Sequence, residues 1–102
     1  MSYISHTIER EVAKMTVLRD TYKKDLESLP KGSVQIRERN GKRYYYLRYR
    51  DGKRIIADYL GNTEEHLTKA QEDIEKRKHI ESMIKALDKE LRMMTKVLEG
   101  MK

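Results

Sequence analysis

Two short dipeptides constrain the fold of this chain more than any other feature. Asn40-Gly41 and Asp51-Gly52 each suit a two-residue type I′ turn, because both central residues need a positive φ and these residue types tolerate it. The residues around them are rich in tyrosine, isoleucine and arginine and contain no proline. The sequence therefore predicts a three-stranded antiparallel meander with strands over residues 33–39, 42–50 and 53–60.

Two-residue loops also predict the register of this meander. Arg39 should face Lys42 and Arg50 should face Lys53, and every other pair follows by counting back along the strands. The further predicted pairs are Ile36 with Tyr45, Val34 with Leu47, and Leu47 with Ile56.

Alternation along the strands then sorts the side chains onto two faces. One face is apolar enough to cover a helix, and it collects Val34, Ile36, Tyr45, Leu47, Tyr49, Ile56 and Leu60. The other face is basic and aromatic together. It collects Gln35, Arg37, Arg39, Lys42, Tyr44, Tyr46, Arg48, Arg50, Lys53, Ile55 and Tyr59.

Both flanking segments show the periodicity of amphipathic helices. In the first, Ile8, Met15, Tyr22 and Leu29 recur every seven residues, and the turns between are filled by Ile4, Val12, Leu18 and Leu26. The sequence Leu29-Pro30 should end this helix, because proline disfavours helix at the residue before it. The second helix should begin near Thr63, a good N-cap, and Leu67, Ala70 and Ile74 begin its apolar stripe.

The second stripe continues with strict alternation of four and three residues. Its members are Ile80, Ile84, Leu87, Leu91, Met94 and Leu98. This spacing predicts an antiparallel coiled coil between the two helices, and the length of the second helix leaves surface for another copy of the chain. We therefore expect a homodimer that uses these six residues as its interface.

The predicted fold class is α+β, in the order α-β-β-β-α. At 102 residues the chain should form a single domain, made of an N-terminal helix (1–30), a basic sheet (31–61) and a long C-terminal helix (62–102).

The net charge of +6 comes entirely from the predicted sheet. The flanks 1–30 and 61–102 each carry equal numbers of basic and acidic side chains, whereas residues 31–60 carry nine basic and three acidic ones. A ribbon of strands fits the major groove of B-DNA, cations bind phosphate, and tyrosine rings stack on unpaired bases. The sequence therefore predicts nucleic-acid binding through Arg37, Arg39, Lys42, Tyr44, Tyr46, Arg48, Arg50, Lys53 and Tyr59.

Two other interpretations of this face remain open. Lysine, arginine and tyrosine are common on solvent-facing strand positions, because long side chains suit a pleated surface and discourage edge pairing. Tyrosine and arginine are also favoured in protein interfaces. The face is therefore also compatible with a solvated sheet or with recognition of another protein.

The stretch from Lys31 to Gly61 resembles a pattern shared by many small uncharacterised proteins of bacteria, archaea and their mobile elements. The matching residues read Gly-Ser, Asn-Gly-Lys, Tyr-Tyr-Tyr-Leu, Arg-Asp-Gly-Lys and Tyr-Leu-Gly. The same stretch is similar to the arm-type DNA-binding domain of phage integrases, whose three-stranded sheet enters the major groove. This likeness implies contact through Arg37, Tyr44, Tyr46 and Arg48, but no recombinase role, because the chain has no catalytic domain.

Two functions of different classes are compatible with these features. The first is a non-enzymatic nucleic-acid-binding accessory protein of a phage or mobile element. The second is an inhibitor of a host defence nuclease, similar to an anti-CRISPR protein, which would use the same face and the helices to bind the effector or its guide RNA.

The sequence gives little support for a catalytic site, a metal site or a membrane segment. The chain has no cysteine, which excludes disulfides and thiolate metal sites, and His6, His66 and His79 lack the spacing of a metal pair. No phosphate-binding glycine loop, nucleophile elbow or carboxylate dyad is visible, so we expect no enzyme, no metal and no cofactor. No apolar run has the length of a membrane span or signal peptide, which predicts a cytoplasmic protein without membrane contact.

Overall fold

A computed structural model describes residues 2–101 of the chain. The elements follow the predicted order, which confirms the α+β class: α1 Tyr3–Glu27, β1 Ser33–Arg39, β2 Lys42–Asp51, β3 Arg54–Gly61 and α2 Glu64–Gly100. The chain divides into two compact units. The sheet unit spans Ser28–His79, and the helical unit combines α1 with the part of α2 from Ile80 onward. The predicted single domain stays a prediction.

The first hairpin has the predicted register. Arg39 pairs with Lys42, Ile36 with Tyr45, and Val34 with Leu47. Asn40 and Gly41 both have positive φ, 51° and 76°, as a type I′ turn requires. Local turn chemistry was therefore sufficient to place these two strands.

The second hairpin differs from the prediction by two residues. Asp51 pairs with Arg54, so the loop is Gly52-Lys53, and the predicted pairs of Arg50 with Lys53 and of Leu47 with Ile56 are wrong. Gly52 has a φ of 62° and is the only loop residue with positive φ, which is the pattern of a type II′ turn with glycine first. A shift of two residues keeps the paired side chains of β3 on their predicted faces, whereas Lys53 moves from the predicted strand into the turn.

The core of the sheet unit lies on the apolar face of the central strand. Tyr45 and Leu47 are only 4% and 9% exposed, and Ala70 and Ile74 of α2 are equally buried. Ile36 is 51% exposed, so its predicted place under a helix is wrong. β1 is an edge strand, so Ile36, although it pairs with the buried Tyr45, has no neighbouring strand on its other side.

The start of α2 is capped as predicted. The Thr63 hydroxyl accepts a hydrogen bond from the backbone N–H of His66 at 3.3 Å, and the His66 Nδ1 atom lies 2.7 Å from the same hydroxyl. Arg77, further along α2, holds the backbone that leads from α1 into the sheet. Its Nη1 donates a 2.9 Å hydrogen bond to the Leu29 carbonyl. The Arg77 bond ties α2 to the segment that enters the sheet.

In the helical unit, α1 and α2 run antiparallel. Arg19 in the middle of α1 contacts Asp88, whereas Ser5 near its start lines the same cavity as Leu98 near the end of α2. Seven of the nine buried or half-buried positions of α1 follow a regular spacing of three and four residues, and the other two are Glu11 and Thr16. The seven are Ser5, Ile8, Val12, Met15, Arg19, Tyr22 and Leu26.

This stripe corrects one part of the sequence prediction. Ile4 and Leu18, which were expected to fill the apolar stripe of α1, are 60% and 42% exposed. Ser5 and Arg19 take their places one residue further on. Within residues 2–101, neither helix has an apolar stretch long enough to cross a lipid bilayer.

Candidate nucleic-acid interface

The strand register gathers the predicted contact residues on one face of the sheet, which we call the basic face. Arg37 lies opposite Tyr44, and Arg39 lies opposite Lys42. Tyr46 of β2 lies between Gln35 of β1 and Tyr59 of β3. Arg48 and Arg50 continue this face along β2, and Lys53 lies in the turn that follows. The six basic side chains are exposed, whereas Tyr44 and Tyr46 are half-buried.

Three tyrosines form a cluster at the centre of the basic face. The ring centroids of Tyr46 and Tyr59 are 5.5 Å apart with an interplanar angle of 57°, and those of Tyr44 and Tyr59 are 6.4 Å apart at 47°. Tilted pairs at these distances are the arrangement that aromatic quadrupoles favour. The cluster is therefore held by ring contacts across β2 and β3.

Arg37 fixes one side of the cluster. Its guanidinium carbon lies 4.5 Å from the centre of the Tyr46 ring, within the range of a cation–π contact. The same guanidinium donates a long hydrogen bond of 3.4 Å to the Gln35 side-chain oxygen. Gln35 was not among the predicted site residues, although its place one position before Ile36 puts it on this face.

The charges of the sheet are separated by face. All three acidic residues of the strands, Glu38, Asp51 and Asp58, lie on the face opposite to the basic one, together with Arg43 and Arg54. Glu38 and Arg43 form an ion pair of 3.2 Å there. Among residues 33–61, all of which the structure describes, the basic face therefore carries cations and no carboxylate.

Cations on the basic face concentrate at the two ends of β2. Arg39 and Lys42 flank the first turn, whereas Arg50 lies just before the second turn and Lys53 lies within it. Lys42 and Arg50 are eight residues apart on one strand, which corresponds to about 27 Å at about 3.4 Å per residue. Two cationic ends thus lie on either side of the tyrosine cluster.

The opposite face carries a different polar pair. The Tyr49 hydroxyl donates a 2.9 Å hydrogen bond to the Asp58 carboxylate. This bond raises the pKa of Tyr49 above its usual value, with smaller contributions from desolvation and from the charges of Asp58 and Asp51. Asp58 is the carboxylate on this face that has no arginine directly across the strand pair, since Glu38 lies opposite Arg43 and Asp51 lies opposite Arg54.

The six residues predicted as an oligomer interface lie on the stripe of α2 within the helical unit. Ile80 and Leu91 are buried in a single chain, and the other four are half-buried. Apolar side chains elsewhere on the helical unit are more exposed, including Val17, Leu18, Met93 and Val97. The homodimer stays a prediction, and the exposed side chains offer a second surface for it.

The three histidines have separate surroundings. His6 lies 3.9 Å from Glu9, His66 belongs to the cap of α2, and His79 lies further along α2. Within the described part of the chain, no three histidine or carboxylate side chains are grouped as metal ligands would be.

Comparison with known proteins gives one match. A family model described as "Domain of unknown function (DUF6788)" matches residues 4–70, which run from the first turn of α1 through the whole sheet to the first turns of α2. No curated protein and no solved structure shows significant similarity to the chain. The matched segment includes every residue of the basic face.

Proposed function

We propose that this chain, which belongs to the DUF6788 family, is a non-enzymatic cytoplasmic protein that binds nucleic acid through the basic face of its sheet. Arg37, Arg39, Lys42, Arg48, Arg50 and Lys53 would contact phosphates, and the tyrosine cluster would contact bases or sugars. The proposal includes a link to phages or mobile elements, because residues 31–61 resemble a pattern found in small proteins of such elements.

The separation of charge between the two faces of the sheet is the observation that carries this proposal. A sheet that is merely solvated gains from mixing both signs, because cross-strand pairs of opposite charge are favourable and like charges repel. Here Glu38, Asp51 and Asp58 all lie on the opposite face, and the strand residues of the basic face include no carboxylate. A polyanion would supply the missing counter-charge.

The test is fluorescence anisotropy of the purified protein with labelled duplex DNA, single-stranded DNA and structured RNA, each at two salt concentrations. If all six cations contact phosphates, log K falls with log salt with a slope of about −5 for duplex DNA and about −4 for a single strand. Failure to bind any of the three would reject the proposal and favour a protein partner such as a nuclease effector.

The sheet offers a matched pair of double variants. Arg39→Gln with Arg50→Gln removes one cation beside each turn from the basic face, whereas Arg43→Gln with Arg54→Gln removes one beside each turn from the opposite face. We expect the first variant to make the salt slope shallower by about 2 for duplex DNA and by about 1.4 for a single strand, since each phosphate contact contributes about 0.9 or about 0.7. The second variant should leave the slope unchanged, and equal effects of the two would show that only total charge matters.

A further inference from the structure

The three tyrosines of the basic face differ in what their rings can contact. Tyr46 is half-buried and has the Arg37 guanidinium over its ring, and Tyr44 is half-buried as well. Tyr59 is 56% exposed, although it belongs to the same cluster. Tyr59 is therefore the ring of the cluster that an incoming ligand can reach most easily.

The position of Tyr59 is also defined before any ligand arrives. Its ring contacts the rings of Tyr46 and Tyr44, which lie two residues apart on β2, and both ring pairs are tilted rather than parallel. Neither neighbour is therefore stacked flat on the Tyr59 ring. A ring that is already held by its neighbours loses little conformational freedom on binding, which favours affinity.

The form of nucleic acid that suits an exposed ring follows from base geometry. A duplex keeps the faces of its bases stacked on one another and presents only their edges in the grooves. A single strand presents base faces, and aromatic side chains bind these by stacking whatever the sequence. The cationic ends of the basic face, on either side of the cluster, would then hold phosphates that lie further along the strand in both directions from the stacked base.

We infer that Tyr59 is a stacking platform for an unpaired base, so that the ligand of the basic face is single-stranded nucleic acid, either DNA or RNA. This inference rests on the proposed function. It adds the class of nucleic acid and the residue that selects it. The phosphate contacts contribute affinity for any polyanion, and the Tyr59 ring contributes the preference for single strands.

The experiment compares an oligothymidine, an oligouridine and a DNA duplex, each of about 12 nucleotides or base pairs, within the usual site sizes of single-strand binders. The variants are Tyr59→Phe, which keeps the ring, and Tyr59→Leu, which removes it. Ile55→Ala is the control, because Ile55 is equally exposed on the same face of the same strand. Far-ultraviolet circular dichroism and thermal unfolding establish that each variant is folded.

We expect the wild-type protein and Tyr59→Phe to bind a single strand more tightly than the duplex. Tyr59→Leu should lose about tenfold or more in single-strand affinity, in line with the usual contribution of one stacked base. Its duplex affinity, like that of Ile55→Ala, should stay within about twofold of wild type. The difference between the thymidine and uridine strands distinguishes DNA from RNA.

Two results would overturn the inference while the proposed function stands. They are tighter binding of the duplex than of either single strand, and an unchanged single-strand affinity in a folded Tyr59→Leu variant. Absence of binding to all three probes would instead reject the proposed function itself, and this inference with it.

Discussion

The Tyr49 hydroxyl and the Asp58 carboxylate are joined by a 2.9 Å hydrogen bond on the face of the sheet opposite to the basic one. The bond stabilises the protonated phenol, because the neutral hydroxyl can donate to the carboxylate and the phenolate cannot. It is the main reason why the pKa of Tyr49 lies above its usual value of 10.0.

Asp58→Asn should therefore lower the pKa of Tyr49 towards its usual value. Spectrophotometric titration of phenolate absorbance measures this shift, and Tyr49→Phe identifies the Tyr49 component among the seven tyrosines of the chain. An identical titration of the Tyr49 component in wild type and Asp58→Asn would contradict the assignment of the shift to this bond.

The same pair predicts how stability depends on pH. A group whose pKa is raised in the folded state contributes stability that is fully present below its unfolded pKa and is lost as the pH rises through the folded value. The free energy of unfolding of the wild type should thus fall as the pH rises above about 10. Tyr49→Phe should show a smaller fall, which urea denaturation at several pH values would measure.

Gly32 should tolerate substitution less well than Gly41. Both have positive φ, 127° and 76°, but a Cβ atom at Gly32 would collide with the backbone carbonyl oxygen of Arg48, whereas Gly41 has open space around it. We expect Gly41→Ala to cost about 1 kcal/mol in the free energy of unfolding and Gly32→Ala clearly more, about 2–4 kcal/mol. Chemical denaturation of the two variants gives the comparison, and equal costs would show that the strand can shift.

Arg19 should prove replaceable by an apolar residue. It occupies a stripe position of α1, its Nη1 donates a 3.1 Å hydrogen bond to Asp88, and its buried Nε has no hydrogen-bond partner. Burying an ion pair gives little net stability, because desolvation offsets the attraction. Arg19→Met should therefore change the free energy of unfolding by less than about 1 kcal/mol.

Asp88→Ala provides the contrast, since it removes the hydrogen-bonded carboxylate of the partly buried Arg19 and leaves only Asp20, whose Oδ1 lies 3.5 Å from the Arg19 Nε. We expect it to destabilise the protein by about 1–2 kcal/mol. A larger loss in Arg19→Met than in Asp88→Ala, measured by urea denaturation, would mean that the arginine itself is required at this position.

The chain should self-associate through its helical unit. Ile80 and Leu91 are already covered in a single chain, whereas Val17, Leu18, Met93 and Val97 are exposed apolar side chains on the same unit. Sedimentation velocity should show a dimer that dissociates on dilution. Leu18→Glu should weaken it, and Lys23→Glu, at an exposed and already charged position, should not. A monomer at every concentration would reject the homodimer.

Local sequence features were enough to predict the first hairpin and both faces of the sheet. Asn40-Gly41 tolerates positive φ at both turn positions, so its register could be counted directly from the turn. The faces follow from the two-residue period of strands, which survives any shift of register by two. The cap of α2 at Thr63 was equally visible, because it depends on residues only three apart.

Other features depend on contacts between residues that are distant in sequence. Asp51-Gly52-Lys53 allows a type I′ turn over its first two residues or a type II′ turn over its last two, and local preference does not distinguish them. Cross-strand pairing selects the second, and in doing so it places Tyr59 opposite Tyr46 rather than Tyr44. The composition of the tyrosine cluster could be predicted, but not which of its rings stays exposed.

The choice of residues that α1 buries also depends on contacts between residues that are distant in sequence. The predicted stripe combined two heptads that differ by one residue, since Ile4 and Leu18 belong to the first and Val12 and Leu26 to the second. The structure uses the second, in which Arg19 meets Asp88 on α2, a residue 69 positions away. Secondary structure and face assignment thus follow from short-range periodicity, whereas the choice among nearly equal registers is made by packing between elements.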